Sequence, residues 1–182
     1  MFVSTGAIAQ EDELALVLSC GTGADASEGS LALKGRFAEG EPALTTLQFF
    51  EDDKGLAAAP WPTDGESGPE KFFTSTSFGP EGAFTDIRFE RDAQTWHIYD
   101  FTGPRTGEEP PDGAGGLVVL DADGVMIRSV PCVERMFAYF DVLQATAQCD
   151  RHGPLGEAAC TGAEVQRTKP LSTLYPWFTA GQ

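Results

Sequence analysis

The densest group of reactive side chains in this 182-residue chain is Trp96-His97-Ile98-Tyr99-Asp100. An imidazole moves protons near neutral pH, a phenol donates or accepts a hydrogen bond, and an indole offers a flat apolar face. On a strand, alternate residues face opposite sides. His97 and Tyr99 then share one face, while Trp96, Ile98 and Asp100 share the other. His97 and Asp100 point oppositely, so the pentapeptide alone does not build a base and its orienting acid. It suits binding better, as an aromatic patch with a titratable ring. Trp61 joins it as a candidate. It sits between Pro60 and Pro62 in a long stretch, Glu51 to Glu70, that also carries Asp52, Asp53, Asp64 and Glu66. The candidate ligand-binding residues are therefore Trp61, Trp96, His97 and Tyr99. The plainer reading, a half-buried strand rich in β-formers and a solvated acidic loop, carries more weight.

Other chemistry is thinly represented. Asp121-Ala122-Asp123-Gly124 resembles a fragment of a calcium loop, but Val130 stands where the closing Glu belongs, so a tight turn is the better reading. The sequence has neither a G-x-S-x-G elbow nor a phosphate-binding G-x-x-x-x-G-K-[ST] loop. The two histidines are His97 and His152, and Cys-His catalysis would need a free thiol. No catalytic residue, metal ligand or cofactor is assigned on these grounds.

The four cysteines, Cys20, Cys132, Cys149 and Cys160, form no C-x-x-C pair and match no common zinc spacing. An even number points to disulfides and an oxidising compartment. Of the three possible connectivities, Cys20–Cys132 with Cys149–Cys160 is favoured, because it ties the first strand to the last hairpin and clips the tail to the end of a helix. Cys20–Cys149 with Cys132–Cys160 is the main rival. Ala7-Ile8-Ala9 before Gln10 looks like a signal-peptidase site, although only nine residues precede the cut. Both hints favour a periplasmic or secreted protein of the bacterial envelope.

Composition sets outer limits. At 41% hydrophobic the chain can bury a core, and no apolar run approaches the roughly 20 residues of a membrane helix. The net charge is −16 and both halves are acidic. Such a field repels phosphate backbones and anionic lipid, which argues against nucleic acid as a partner.

The elements that must position these side chains read as strands. Residues 1–13 are a leader remnant or flexible lead-in, and 14–182 form a single β-rich domain. Alternation and turn residues predict strands at Leu14–Cys20, Leu31–Phe37, Leu44–Phe50, Lys71–Phe78, Ala83–Arg91, Thr95–Phe101, Leu117–Leu120 and Val125–Val130. The fifth and sixth read as a hairpin, and residues 51–70 and 102–116 read as long loops. From Val133 the apolar period lengthens. Val133, Met136, Phe137, Phe140, Leu143 and Ala147 would share one stripe of an amphipathic helix. The tail ends in Leu174-Tyr-Pro-Trp-Phe178, which should lie against the body. The expected fold is mainly β: a single antiparallel sandwich or barrel of about eight strands, one amphipathic helix near the C-terminus, and a disulfide-clipped tail. The expected function is a non-catalytic binding protein for a protein partner or small ligand, in the manner of envelope inhibitors. Two alternatives remain: a hydrolase whose acidic residues converge from loops, and a carrier holding a small apolar ligand in a barrel.

Overall fold

The computed structural model describes residues 14–23, 29–37, 43–53, 56–63, 68–104, 113–134, 136–161 and 165–178. The leader expected over residues 1–13 lies outside them. All eight predicted stretches are strands: β1 (Ala15–Gly21), β2 (Gly29–Phe37), β3 (Leu44–Asp53), β5 (Phe72–Gly79), β6 (Gly82–Arg91), β7 (Gln94–Thr102), β8 (Gly113–Leu120) and β9 (Met126–Pro131). Four two-residue strands complete the described set: β4 (Leu56–Ala57), β10 (Phe137–Ala138), β11 (Gln148–Cys149) and β12 (Val165–Gln166). The expectation of about eight strands was low because two residues carry no periodicity.

These strands form two sheets, not a barrel. One has the order β10-β1-β2-β3-β4, and the other β11-β5-β6-β7-β8-β9 with β12 also against β5. Most pairs are antiparallel, but β11 and β12 run parallel to β5, which corrects the purely antiparallel expectation. Apolar side chains of both sheets meet in a common core. Leu31, Leu33, Leu47 and Phe49 come from one sheet, and Phe72, Ile87, Phe89, Trp96, Ile98 and Leu117 from the other. The arrangement is sandwich-like, as period-two alternation with one buried face requires.

The long loops are shorter than expected. Glu51–Asp53 extends β3, Trp61 pairs with Phe49 by a backbone bridge, and Gly113–Gly116 belongs to β8. The hairpin of β6 and β7 turns through Asp92 and Ala93, whose φ angles are 53° and 59°. Positive φ at both central residues matches the right-handed twist of the flanking strands. This two-residue turn sets the register Arg88↔His97 and Asp86↔Tyr99.

The predicted helix from Val133 to Ala147 is the main correction. Among the described residues of that stretch only α1 (Phe140–Thr146) is helical, with α2 (Leu171–Leu174) following late in the chain. The preceding residues satisfy the open edge of β1 instead. Val133 N–H donates to Gly21 O, Tyr139 N–H donates to Val17 O, and Phe137–Ala138 pairs with Leu18–Ser19. The Cys20–Cys132 disulfide holds the start of this segment against β1. Met136 and Leu143 from the expected stripe are buried, while Val133 and Phe137 are exposed. An unpaired strand edge outcompetes an apolar period of nearly four, since its backbone groups need partners.

The two disulfides join Cys20 to Cys132 and Cys149 to Cys160, the connectivity favoured from sequence. On the chain-entropy model, loops of these lengths contribute about 4.7 and about 3 kcal/mol.

Candidate functional site

Alternation divides the β6–β7 hairpin into two chemistries. Ile87, Phe89, Trp96 and Ile98 face the other sheet and enter the core. Phe84, Asp86, Arg88, His97, Tyr99 and Phe101 lie on the opposite face. That face is not left to solvent. The segment ending in Tyr175, Trp177 and Phe178 folds over it, with Tyr175 and Phe178 buried against Phe84 and Phe101. Arg167 holds this segment in place, donating from Nη1 to Ser77 O and Oγ and from Nη2 to Gly82 O. Burial pushes the Arg167 guanidinium below its usual range.

Beneath this cover, His97 is 5% exposed and Asp86 is 1% exposed. His97 Nδ1 lies 3.0 Å from each carboxylate oxygen of Asp86. A carboxylate can only accept, so Nδ1 is the donor. In the neutral tautomer that this contact selects, the lone pair is at Nε2. That atom has no hydrogen-bond partner among the described residues. It is not sealed from solvent either, since the sealed polar atoms without partners belong to Asp52, Thr74, Trp96 and Arg167.

His97 forms part of the wall of a pocket of about 540 Å³. Arg88, Glu90 and Thr95 continue the sheet surface, and Leu120, Gly124 and Met126 come from the β8–β9 hairpin. His152, Gly153 and Pro154 form one flank, and Leu174, Pro176 and Trp177 another. The volume falls within the range of about 300–1,000 Å³ usual for small-molecule sites. The Trp177 ring is 5.0 Å from the His97 ring and 5.5 Å from Tyr99.

The charges around it are arranged with care. Arg88 Nε and Nη2 donate to the two oxygens of Asp150, at 2.9 and 2.8 Å. Arg88 Nη1 donates to Glu90 Oε1 at 2.8 Å, and the guanidinium lies 4.7 Å over the Phe73 ring. The hydrogen bond to Asp150 raises the Arg88 pKa above its usual value, against the opposing effect of burial. Asp150 is itself buried and follows Cys149, so the Cys149–Cys160 disulfide fixes both the carboxylate and the His152–Pro154 flank. A side chain at Gly153 would strike the Asp150 carboxylate. Burial raises the Tyr99 phenol, and does so more strongly for Tyr175, whose hydroxyl meets Ser75 Oγ at 3.3 Å.

Of the four candidate binding residues, His97 lines the pocket and Tyr99 packs beneath Trp177. Trp96 and Trp61 lie on the other side of the sheet. Trp96 is in the core, and Trp61 stacks on Phe89 at 4.9 Å. Sequence reasoning missed Asp86 as the partner of His97, although the hairpin's two-residue turn sets the register that brings them together. Arg88, Asp150 and Trp177 carried no local signal. His152, read as a turn residue, lies in a turn and also lines the pocket.

Chemically the pocket offers an oriented imidazole, an indole face and the Glu90 carboxylate, with the buried Asp86 and Asp150 behind its wall. Among the described residues no three His, Cys, Asp or Glu side chains converge as metal ligands. The Thr95 hydroxyl donates to the Glu90 carboxylate. No family model, curated protein or solved structure matches this chain.

Proposed function

We propose that this chain is a non-catalytic binding protein of an oxidising compartment, the bacterial periplasm or exterior. Its ligand site is the pocket between the β6–β9 face and the tail. The observation that carries this reading is His97, a buried imidazole whose Nδ1 is held by Asp86 and whose Nε2 has no partner among the described residues, in the wall of an open pocket beside Trp177. Burying an oriented polar ring costs desolvation that a bound ligand would offset. Two disulfides support the compartment, and no helix among the described residues is long and apolar enough to cross a membrane. The exposed Met126 in the pocket wall, with Leu120, Pro154 and Pro176, supports a ligand with an apolar part.

The test is a small-molecule thermal-shift panel run on the oxidised protein and on Trp177→Leu. A ligand present at 100 times its Kd adds about 2.7 kcal/mol to wild-type stability. The reading expects compounds that raise the wild-type melting temperature and lose that effect in the variant. Compounds that stabilise both proteins equally would place binding elsewhere and refute the site.

The His97–Asp86 pair also favours a second reading, hydrolysis by a water that Nε2 deprotonates. Turnover of activated esters that disappears in His97→Gln would establish it. Turnover unchanged in that variant would remove it. The apolar-carrier reading draws no support from the packing, since Phe49, Phe72, Phe89 and Trp96 fill the space between the sheets with ring contacts of 5.3–5.8 Å.

A further inference from the structure

We infer that the ligand of this pocket is an organic cation, a primary ammonium or guanidinium group on an apolar body; this rests on the pocket being the binding site. Three observations converge on that chemistry. The first is the free atom of His97. With Nδ1 donating to Asp86, Nε2 is the ring nitrogen left to a ligand, and in the neutral tautomer it accepts an N–H or O–H from that ligand.

The second is the charge balance. Asp86, Glu90 and Asp150 surround a single guanidinium, Arg88. Three of that guanidinium's five N–H bonds are already committed to carboxylates. Its Nε and Nη2 are engaged by Asp150 and its Nη1 by Glu90, while its face is covered by Phe73. Glu90, with a side chain 55% exposed, is the carboxylate in the pocket wall, and the buried Asp86 and Asp150 lie close behind it around Arg88. His152 is the other imidazole in the wall and adds a further polar contact. The net charge of −16 would steer a cation toward the protein from a distance.

The third is the indole. Trp177 borders the pocket with its ring beside His97, and an indole face attracts ammonium and guanidinium groups. Leu120, Met126, Pro154 and Pro176 supply apolar surface for the rest of the ligand. Such a cation exists either as a free arylalkylamine or as the arginine or lysine side chain of a protein.

Isothermal titration with three probes separates these possibilities. Phenethylamine carries the cation, phenylpropionate is its anionic counterpart of similar shape, and Nα-acetyl-arginine N-methylamide represents a protein side chain. The expected result is binding of phenethylamine or the blocked arginine at least about tenfold tighter than phenylpropionate, the equivalent of one charge-assisted hydrogen bond. Tighter binding of the blocked arginine identifies a protein segment as the source, and tighter binding of phenethylamine a free amine. The preference should collapse in Glu90→Gln and in Trp177→Leu, with circular dichroism confirming that both fold. Phenylpropionate binding as well as either cation, or no cation binding at millimolar concentration, overturns the inference. In that case thermal-shift hits that still depend on Trp177 would leave the pocket standing as a binding site.

Discussion

His97 and Asp86 sit diagonally across the β6–β7 hairpin, and Nδ1 of the ring lies 3.0 Å from both oxygens of the carboxylate. Asp86 is 1% exposed, and His97 keeps only the 5% by which it borders the pocket. The pair exists because a two-residue turn puts Arg88 opposite His97, so that residue 86 falls one diagonal step away on the same face. Removing the carboxylate would leave a buried N–H without an acceptor. Asp86→Ala is therefore expected to destabilise the protein by about 1–3 kcal/mol in urea unfolding. It should also free the ring, so long-range proton–nitrogen NMR will show mixed tautomers in the variant and a single Nδ1-protonated form in the wild type's neutral ring.

The Arg88–Asp150 fork joins β6 to the segment after Cys149, and it is far more buried than the Arg88–Glu90 contact. Breaking a buried pair leaves an uncompensated charge. Asp150→Asn is expected to cost about 3–5 kcal/mol. Glu90→Gln, at the exposed end of the same guanidinium, should cost about 1 kcal/mol or less. Equal losses in the two variants, measured by chemical denaturation, would contradict the division drawn between them.

The Cys149–Cys160 bridge closes a short loop that carries His152, Gly153 and Pro154 into the pocket. The double variant Cys149→Ser/Cys160→Ser is expected to lose about 3 kcal/mol and to weaken every pocket ligand. The variant Cys20→Ser/Cys132→Ser, at the far larger loop, should lose about 4.7 kcal/mol, and any ligand affinity left in the folded fraction should be unchanged. Melting curves with and without a ligand from the thermal-shift panel separate these effects.

Burial raises the phenol pKa of Tyr99 and Tyr175 in the folded state. A raised folded pKa means that the stabilisation is fully present below the ordinary phenol value near 10. It is lost as pH climbs beyond that value, because the unfolded chain releases the protons first. Melting temperature should therefore fall steeply above about pH 10. Tyr175→Phe should flatten that fall, at the cost of the Ser75 hydrogen bond at lower pH. An alkaline limb of the same steepness in the variant would show that Tyr175 does not drive it.

Much of the sheet structure was legible because alternation is a local signal. Leu31, Leu33 and Phe49 show which face is buried without any knowledge of their partners. The disulfide pairing was legible because the first strand and the last long hairpin both end in cysteine. The stretch from Val133 to Tyr139 was not, since its helical spacing competes with the open edge of β1, which is more than a hundred residues away in sequence. The site was legible only in part. His97 stood out by type, but Asp150 is 62 residues from Arg88, and Trp177 meets His97 from a tail that Arg167 and the buried Tyr175 and Phe178 hold across the sheet. Convergence of that kind leaves no trace in spacing.

The most direct measurement is a fragment screen followed by protein-observed NMR on the oxidised, isotope-labelled chain. The pocket account expects fragment-induced shifts to concentrate on His97, His152, Thr95 and the Trp177 indole, and to vanish in Trp177→Leu. Shifts that gather instead on the outer face of the five-stranded sheet, around Lys34, Phe50 and Glu51, with His97 and Trp177 unmoved, would contradict it.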